Sequence, residues 1–89
     1  MRLTIIPSDN AVYINGVFKA TLDLSDCNIP STVHALQWYD TRGWIEPKDD
    51  DDPFTPKSPN EEITELPQWA LACQQKWENT PFPEVIVTN

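Results

Sequence analysis

Glycine occurs only twice in this 89-residue chain, histidine once and cysteine twice, and Lys and Arg together number only six. Each scarcity closes a class of function. Gly16 and Gly43 lie far apart and each suits a turn, so no glycine-rich loop is available to cradle a phosphate. His34 would have to serve any histidine-based mechanism, and none of Ser8, Ser25, Ser31 and Ser58 sits in a G-x-S-x-G elbow. Cys27 and Cys73 have no second cysteine near either of them, which removes both a paired zinc motif and a dense disulfide framework. Two free thiols are expected, with a single bridge between them as the alternative.

Long apolar runs are also missing. The opening Met1-Arg2-Leu3-Thr4-Ile5-Ile6-Pro7 is too short to export or anchor a protein, and no segment approaches membrane-spanning length. The expectation is synthesis in a cytoplasm and no membrane association. The few basic residues are scattered, whereas phosphate contacts need them clustered, so no nucleic-acid partner is expected. DNA mimicry fares poorly too, because Asp49-Asp50-Asp51-Asp52 concentrates its charge in one run instead of spreading it over a face. That run also lacks the alternating ligands and central glycine of a calcium loop. No catalytic, cofactor-binding or metal-binding residue is therefore assigned, and a non-enzymatic protein is expected.

What the chain does have is aromatic bulk and acid. Four Trp, three Phe and two Tyr give a small core area that aliphatic residues alone would not supply. The formal net charge is -8, and most of it follows residue 48, which leaves a basic protein partner open.

Arg2–Ile6 is β-branched and apolar, Pro7–Asn10 is a turn cluster, and Ala11–Asn15 resumes a strand pattern. Asn15-Gly16 is a favoured two-residue hairpin turn, after which Val17–Leu24 reads as a third strand. Ser25–Thr32 reads as a loop. Val33–Trp38 and Trp44–Glu46 then flank an Asp-Thr-Arg-Gly break, predicting a second hairpin with Gly43 at positive φ and His34 at its margin. From Leu66 the period changes: Trp69, Ala70, Cys73 and Trp77 share one face of a helix ending near Asn79. Thr64 or Glu65 is expected at its start, with Glu61, Glu62 and Glu65 near the positive end of its dipole. Glu84–Thr88 has the residues of a short final strand.

The expected fold is α+β, one domain in which a small antiparallel sheet, the meander plus the Trp38/Trp44 hairpin, packs against one C-terminal helix. Residues 47–59 form an acidic, proline-rich loop that cannot offset its own ordering entropy by burial. So small a domain is strained to bury four tryptophans, and Phe54, Trp69, Trp77 and Phe82 are the candidate partner contacts.

Three pieces together resemble a group of small tailed-bacteriophage proteins of the tail region: Tyr13-Ile14-Asn15-Gly16-Val17 with Leu22-Asp23-Leu24, then Val33–Trp38 leading to Gly43-Trp44-Ile45-Glu46, then Pro59-Asn60-Glu61 with Leu66-Pro67-Gln68-Trp69-Ala70. The resemblance spans most of the chain except the acidic loop and the last residues. It implies a structural protein of the virion tail, contacting tail or fibre subunits in several copies. The alternative it leaves is a tail or tail-fibre assembly chaperone absent from the particle. An acidic inhibitor of a host protein is a third reading.

Overall fold

A computed structural model describes residues 1–19, 22–48 and 59–81. The expected α+β arrangement is present, with a larger sheet than the sequence suggests. Six strands, β1 (Arg2–Ile6), β2 (Ala11–Ile14), β3 (Val17–Phe18), β4 (Val33–Tyr39), β5 (Arg42–Pro47) and β6 (Glu61–Ile63), form one antiparallel sheet in the order β3-β2-β1-β4-β5-β6. One helix, α1 (Gln68–Asn79), follows.

The N-terminal meander forms as its turn chemistry dictates. Pro7–Asp9 makes a single 3-10 turn closed by Asn10 at φ 47°, and Asn15 and Gly16 take φ values of 51° and 81° between β2 and β3. Positive φ at both central residues is what a type I′ hairpin requires. Asn15 also binds β1, its amide donating to the Arg2 carbonyl at 2.8 Å and its side-chain oxygen accepting from the Arg2 amide at 2.9 Å.

The third strand is shorter than its pattern predicts. β3 ends at Phe18, yet Leu22 and Leu24 are still buried and join Cys27 in the core cluster. Their alternation reflects a loop laid over the sheet. The Leu24 amide is held by the Asn10 side chain at 3.2 Å, and the Cys27 amide by the Leu24 carbonyl at 3.1 Å.

The second hairpin corrects the reading of Gly43. Its loop is the two residues Asp40 and Thr41, and Asp40, at φ 56°, supplies the left-handed backbone. Gly43 lies within β5, paired with Trp38 and without positive φ. A β-carbon there would collide with the Gln37 carbonyl oxygen and lie 2.9 Å from Trp38 Cα and 3.0 Å from its ring. Glycine is needed for closeness, not for turning. His34 falls at the irregularity where the β4–β5 register shifts between Val33 and Ala35, and it is exposed.

β6 is the unexpected strand. Glu61 and Glu62 do not sit beside the helix dipole; they pair with Ile45 and Trp44, and Ile63 pairs with Gly43. The helix consequently starts later, with Pro67 at its N-terminal boundary (φ -64°, ψ 158°) and no side-chain cap from Thr64 or Glu65. Proline disfavours helical backbone in the residue before it, which keeps Leu66 outside the helix. β5 also runs on to Pro47, the first residue of the expected acidic loop. Residues 49–58 and the expected strand Glu84–Thr88 lie outside the described residues.

Rows of paired residues cross the sheet. One reads Val17, Ile14, Leu3, Trp38, Gly43, Ile63 from β3 to β6 and lies on the core side of the sheet, with Val17 at its exposed end. Val12, Ile5, Leu36 and Ile45 form the next row on that side, where Ala70 and Cys73 of α1 and the Leu22–Cys27 loop complete the cluster. Burying each large aliphatic side chain there contributes about 1.5–3 kcal/mol.

Gly43→Ala should destabilise the domain by about 2 kcal/mol or more, because the added carbon meets backbone atoms that move only with the whole hairpin. Gly16→Ala has open space around it but a positive φ, and should cost only about 1 kcal/mol. Urea denaturation of the two variants measures the difference, and equal losses would contradict the assignment of Gly43 to close packing.

Candidate functional site

The opposite row runs Phe18, Tyr13, Thr4, Gln37, Trp44, Glu62 across all six strands. Since side chains alternate along a strand, this row must face away from α1. Its neighbour on the same side is Arg2, Tyr39, Arg42. The two tryptophans of the central hairpin therefore point to opposite faces: Trp38 is buried in the core, and Trp44 stands half-buried on the outer face.

The outer face is organised by ring contacts. Tyr13 and Phe18 lie 5.2 Å apart between centroids, and Tyr39 meets Trp44 edge-on at 5.8 Å. Arg2 sits over Tyr39 at 5.4 Å and Arg42 over Trp44 at 5.5 Å, so two of the chain's few cations are spread on aromatic surface. Between these clusters the Thr4 hydroxyl donates to Gln37 Oε1 at 2.8 Å, and a shallow recess of about 270 Å³ is lined by Arg2, Thr4, Tyr13, Gly16 and Gln37. Phe18 keeps 47 % of its surface and Tyr39 42 %. Among the described residues, no helix covers this face.

The four contact residues suggested by the sequence fare differently. Phe54 and Phe82 lie outside the described residues. Trp77 is committed within the fold: its indole N–H donates to the Val17 carbonyl at 3.0 Å, and the Lys19 ammonium lies 3.9 Å from its ring centre. Lys19, itself buried, also donates to the carbonyls of Trp77 at 2.7 Å and Thr80 at 2.6 Å. A cation satisfying the last carbonyls of a helix offsets both its own burial and the negative end of the dipole.

Trp69 is different. It is half-buried at the opposite end of α1 and helps line an open groove of about 420 Å³ with Val33, Ile45, Ile63 and Leu66, where Glu61 and Glu65 are the acidic members. The groove lies on the core side of the sheet, at the β6 end. Sequence reasoning found Trp69 through helical period but missed the outer row of Tyr13, Phe18, Tyr39 and Trp44. Strand parity would have separated Trp38 from Trp44 once the two-residue loop was placed correctly.

The cysteines complete the inner layer. Both are free and buried, Cys27 in the loop and Cys73 on the helix. Burial pushes the Cys73 thiol up from an ordinary 9.0 to about 12, with the adjacent Cys27 thiol adding to the rise. Lys76 clamps the same loop to the helix, donating to the Asp23 carbonyl and pairing with Asp26. The Asp26 carboxyl is lowered chiefly by its hydrogen bond from Lys76, and Asp23 by the Ser25 backbone amide. Among the described residues, no group of three or more His, Cys, Asp or Glu side chains is placed to hold a metal ion, and no helix is long and apolar enough to cross a membrane. Compared with known proteins, the chain matches no family model, no curated protein and no solved structure.

Trp77→Ala should cost roughly 3 kcal/mol of folding stability, read as a lower thermal midpoint, because it removes an indole packed on the core and its bond to β3. The Cys73 shift has a definite sign. The native state holds the thiol proton more tightly than the unfolded chain, so this contribution is intact below pH 9.0 and is lost as pH rises toward about 12. The urea midpoint should fall through that alkaline range, and less steeply in Cys73→Ala.

Proposed function

We propose that this chain is a non-enzymatic component of a tailed-bacteriophage tail, held in the virion by protein–protein contacts with tail or fibre subunits. The observation that carries the reading is the outer sheet face, where four aromatic rings and two arginines are gathered on a rigid surface without a layer of α1 over them. Aromatic residues and arginine are the types enriched where protein partners dock. Shallow relief supports the same reading, since a flat face suits a neighbouring subunit better than an enclosed small molecule. The segments resembling tail-region proteins contribute to both sides of the sheet: Tyr13 and Trp44 outside, Trp38 and Gly43 inside.

A second reading draws on the Trp69 groove. An open apolar slot beside an edge strand fits an extended segment of an unassembled subunit, which is the kind of contact a tail-assembly chaperone makes.

Mass spectrometry of washed particles separates the two. The chain should be found at stoichiometric or simple submultiple abundance relative to a tail protein. Its absence from particles that retain intact tails would overturn the virion reading in favour of the chaperone.

A further inference from the structure

The geometry points to a specific occupant for the Trp69 groove: we infer that it receives an extended, basic and apolar segment of a partner protein, added as a seventh strand along β6. The inference refines the protein-contact reading above by naming the chemistry of one partner, and it does not depend on whether that partner is met in the particle or before assembly.

Three observations converge on this place. Among the described residues, β6 is the last strand of the sheet and no backbone hydrogen bond is made along its outer side. A terminal strand leaves a row of amides and carbonyls that a further strand satisfies directly. The core row does not close behind it: Ile45 and Ile63 remain only partly buried, and with Leu66 and Trp69 they wall the groove. Side chains of an added strand alternate, so those on the core side would enter this groove while the others remain over the outer face.

Charge selects the occupant. Glu61 pairs with Ile45 on the core side, Glu62 with Trp44 on the outer side, and Glu65 lies at the groove itself. Among the described residues, none of these three carboxylates is paired with a cation. An incoming strand with Lys or Arg beside its apolar residues would neutralise them on both faces. A second copy of this chain would bring net charge -8 against the same edge, and its own segment 49–58 would bring four aspartates against one lysine. Both are disfavoured by repulsion at close range.

The test uses the whole chain, labelled with ¹⁵N, and two synthetic eight-residue peptides, one with lysine beside valine and leucine on both strand faces, the other with glutamate in place of lysine. The lysine peptide should shift the amide signals of residues 61–63 and the Trp69 indole N–H saturably, and the glutamate peptide should not. Glu61→Lys with Glu65→Lys should weaken the lysine peptide about tenfold, as should Trp69→Ala, which leaves net charge unchanged. Sedimentation should show the unliganded chain as a monomer. Shifts confined to the outer face, equal binding of both peptides, full binding by Trp69→Ala, or a dimer that the lysine peptide does not dissociate would each overturn the inference. Because this titration is blind to particle composition, its failure would leave the virion reading standing, and absence from virions would leave the groove assignment standing.

Discussion

The contact of Trp38 with Gly43 is the constraint on which the sheet depends. The β4 backbone at Gln37 and Trp38, with the Trp38 indole beside it, lies so close to Gly43 of β5 that no side chain fits there. A slip by one residue would set Arg42 or Trp44 against that ring and turn every side chain of the strand to the other face. The pair thus fixes register in the middle of a six-strand sheet, and the other strands inherit it. Leu3 and Ile14 continue the row on one side, and Ile63 on the other.

Fixing Trp38 inward obliges Trp44 outward. The inner surface receives a helix and a loop, both tied down by lysines: Lys19 at the carbonyl end of α1, and Lys76 from α1 to Asp23 and Asp26. Their ammonium groups reach carbonyls, so two of the few cations in the chain are spent on joining its layers. Arg2 and Arg42 rest on rings of the outer face. Little positive charge remains to offset the acids at β6.

How legible this was in the sequence depends on whether an element is specified locally. The Asn15-Gly16 turn and the apolar face of α1 are written in short-range chemistry, and both appear as read. The role of Gly43 is not local, because its need for closeness arises from the backbone of another strand, at Gln37 and Trp38. β6 was invisible for a similar reason. Glu-Glu-Ile has little strand character of its own, and it becomes a strand by pairing with Trp44 and Ile45, whose edge would otherwise be open. Leu22 and Leu24 misled in the opposite direction, since alternation records burial on one side and a loop crossing a sheet satisfies it as well as a strand does. Of the candidate contacts, Trp69 was legible as a helix residue but its groove was not, because the groove exists only where β6 meets the late start of the helix.

The two edges of the sheet are protected by different physics, and the difference bears on what each can accept. β3 is two residues long, and Trp77 of the helix is bonded to it at the Val17 carbonyl, so it offers little length for a further strand. β6 has no such internal partner among the described residues. What guards it is carboxylate: Glu61 and Glu62 on the strand and Glu65 just beyond. Steric cover rejects every incoming strand alike, whereas charge rejects strands selectively, repelling acidic copies of the same chain and admitting basic ones. On the inference drawn for the Trp69 groove, acid at the edge repels copies of the same chain and leaves the edge accessible to basic segments. Part of the uneven charge along the sequence therefore lies at a definite place in the fold, the end where β6 and the start of α1 leave the groove open.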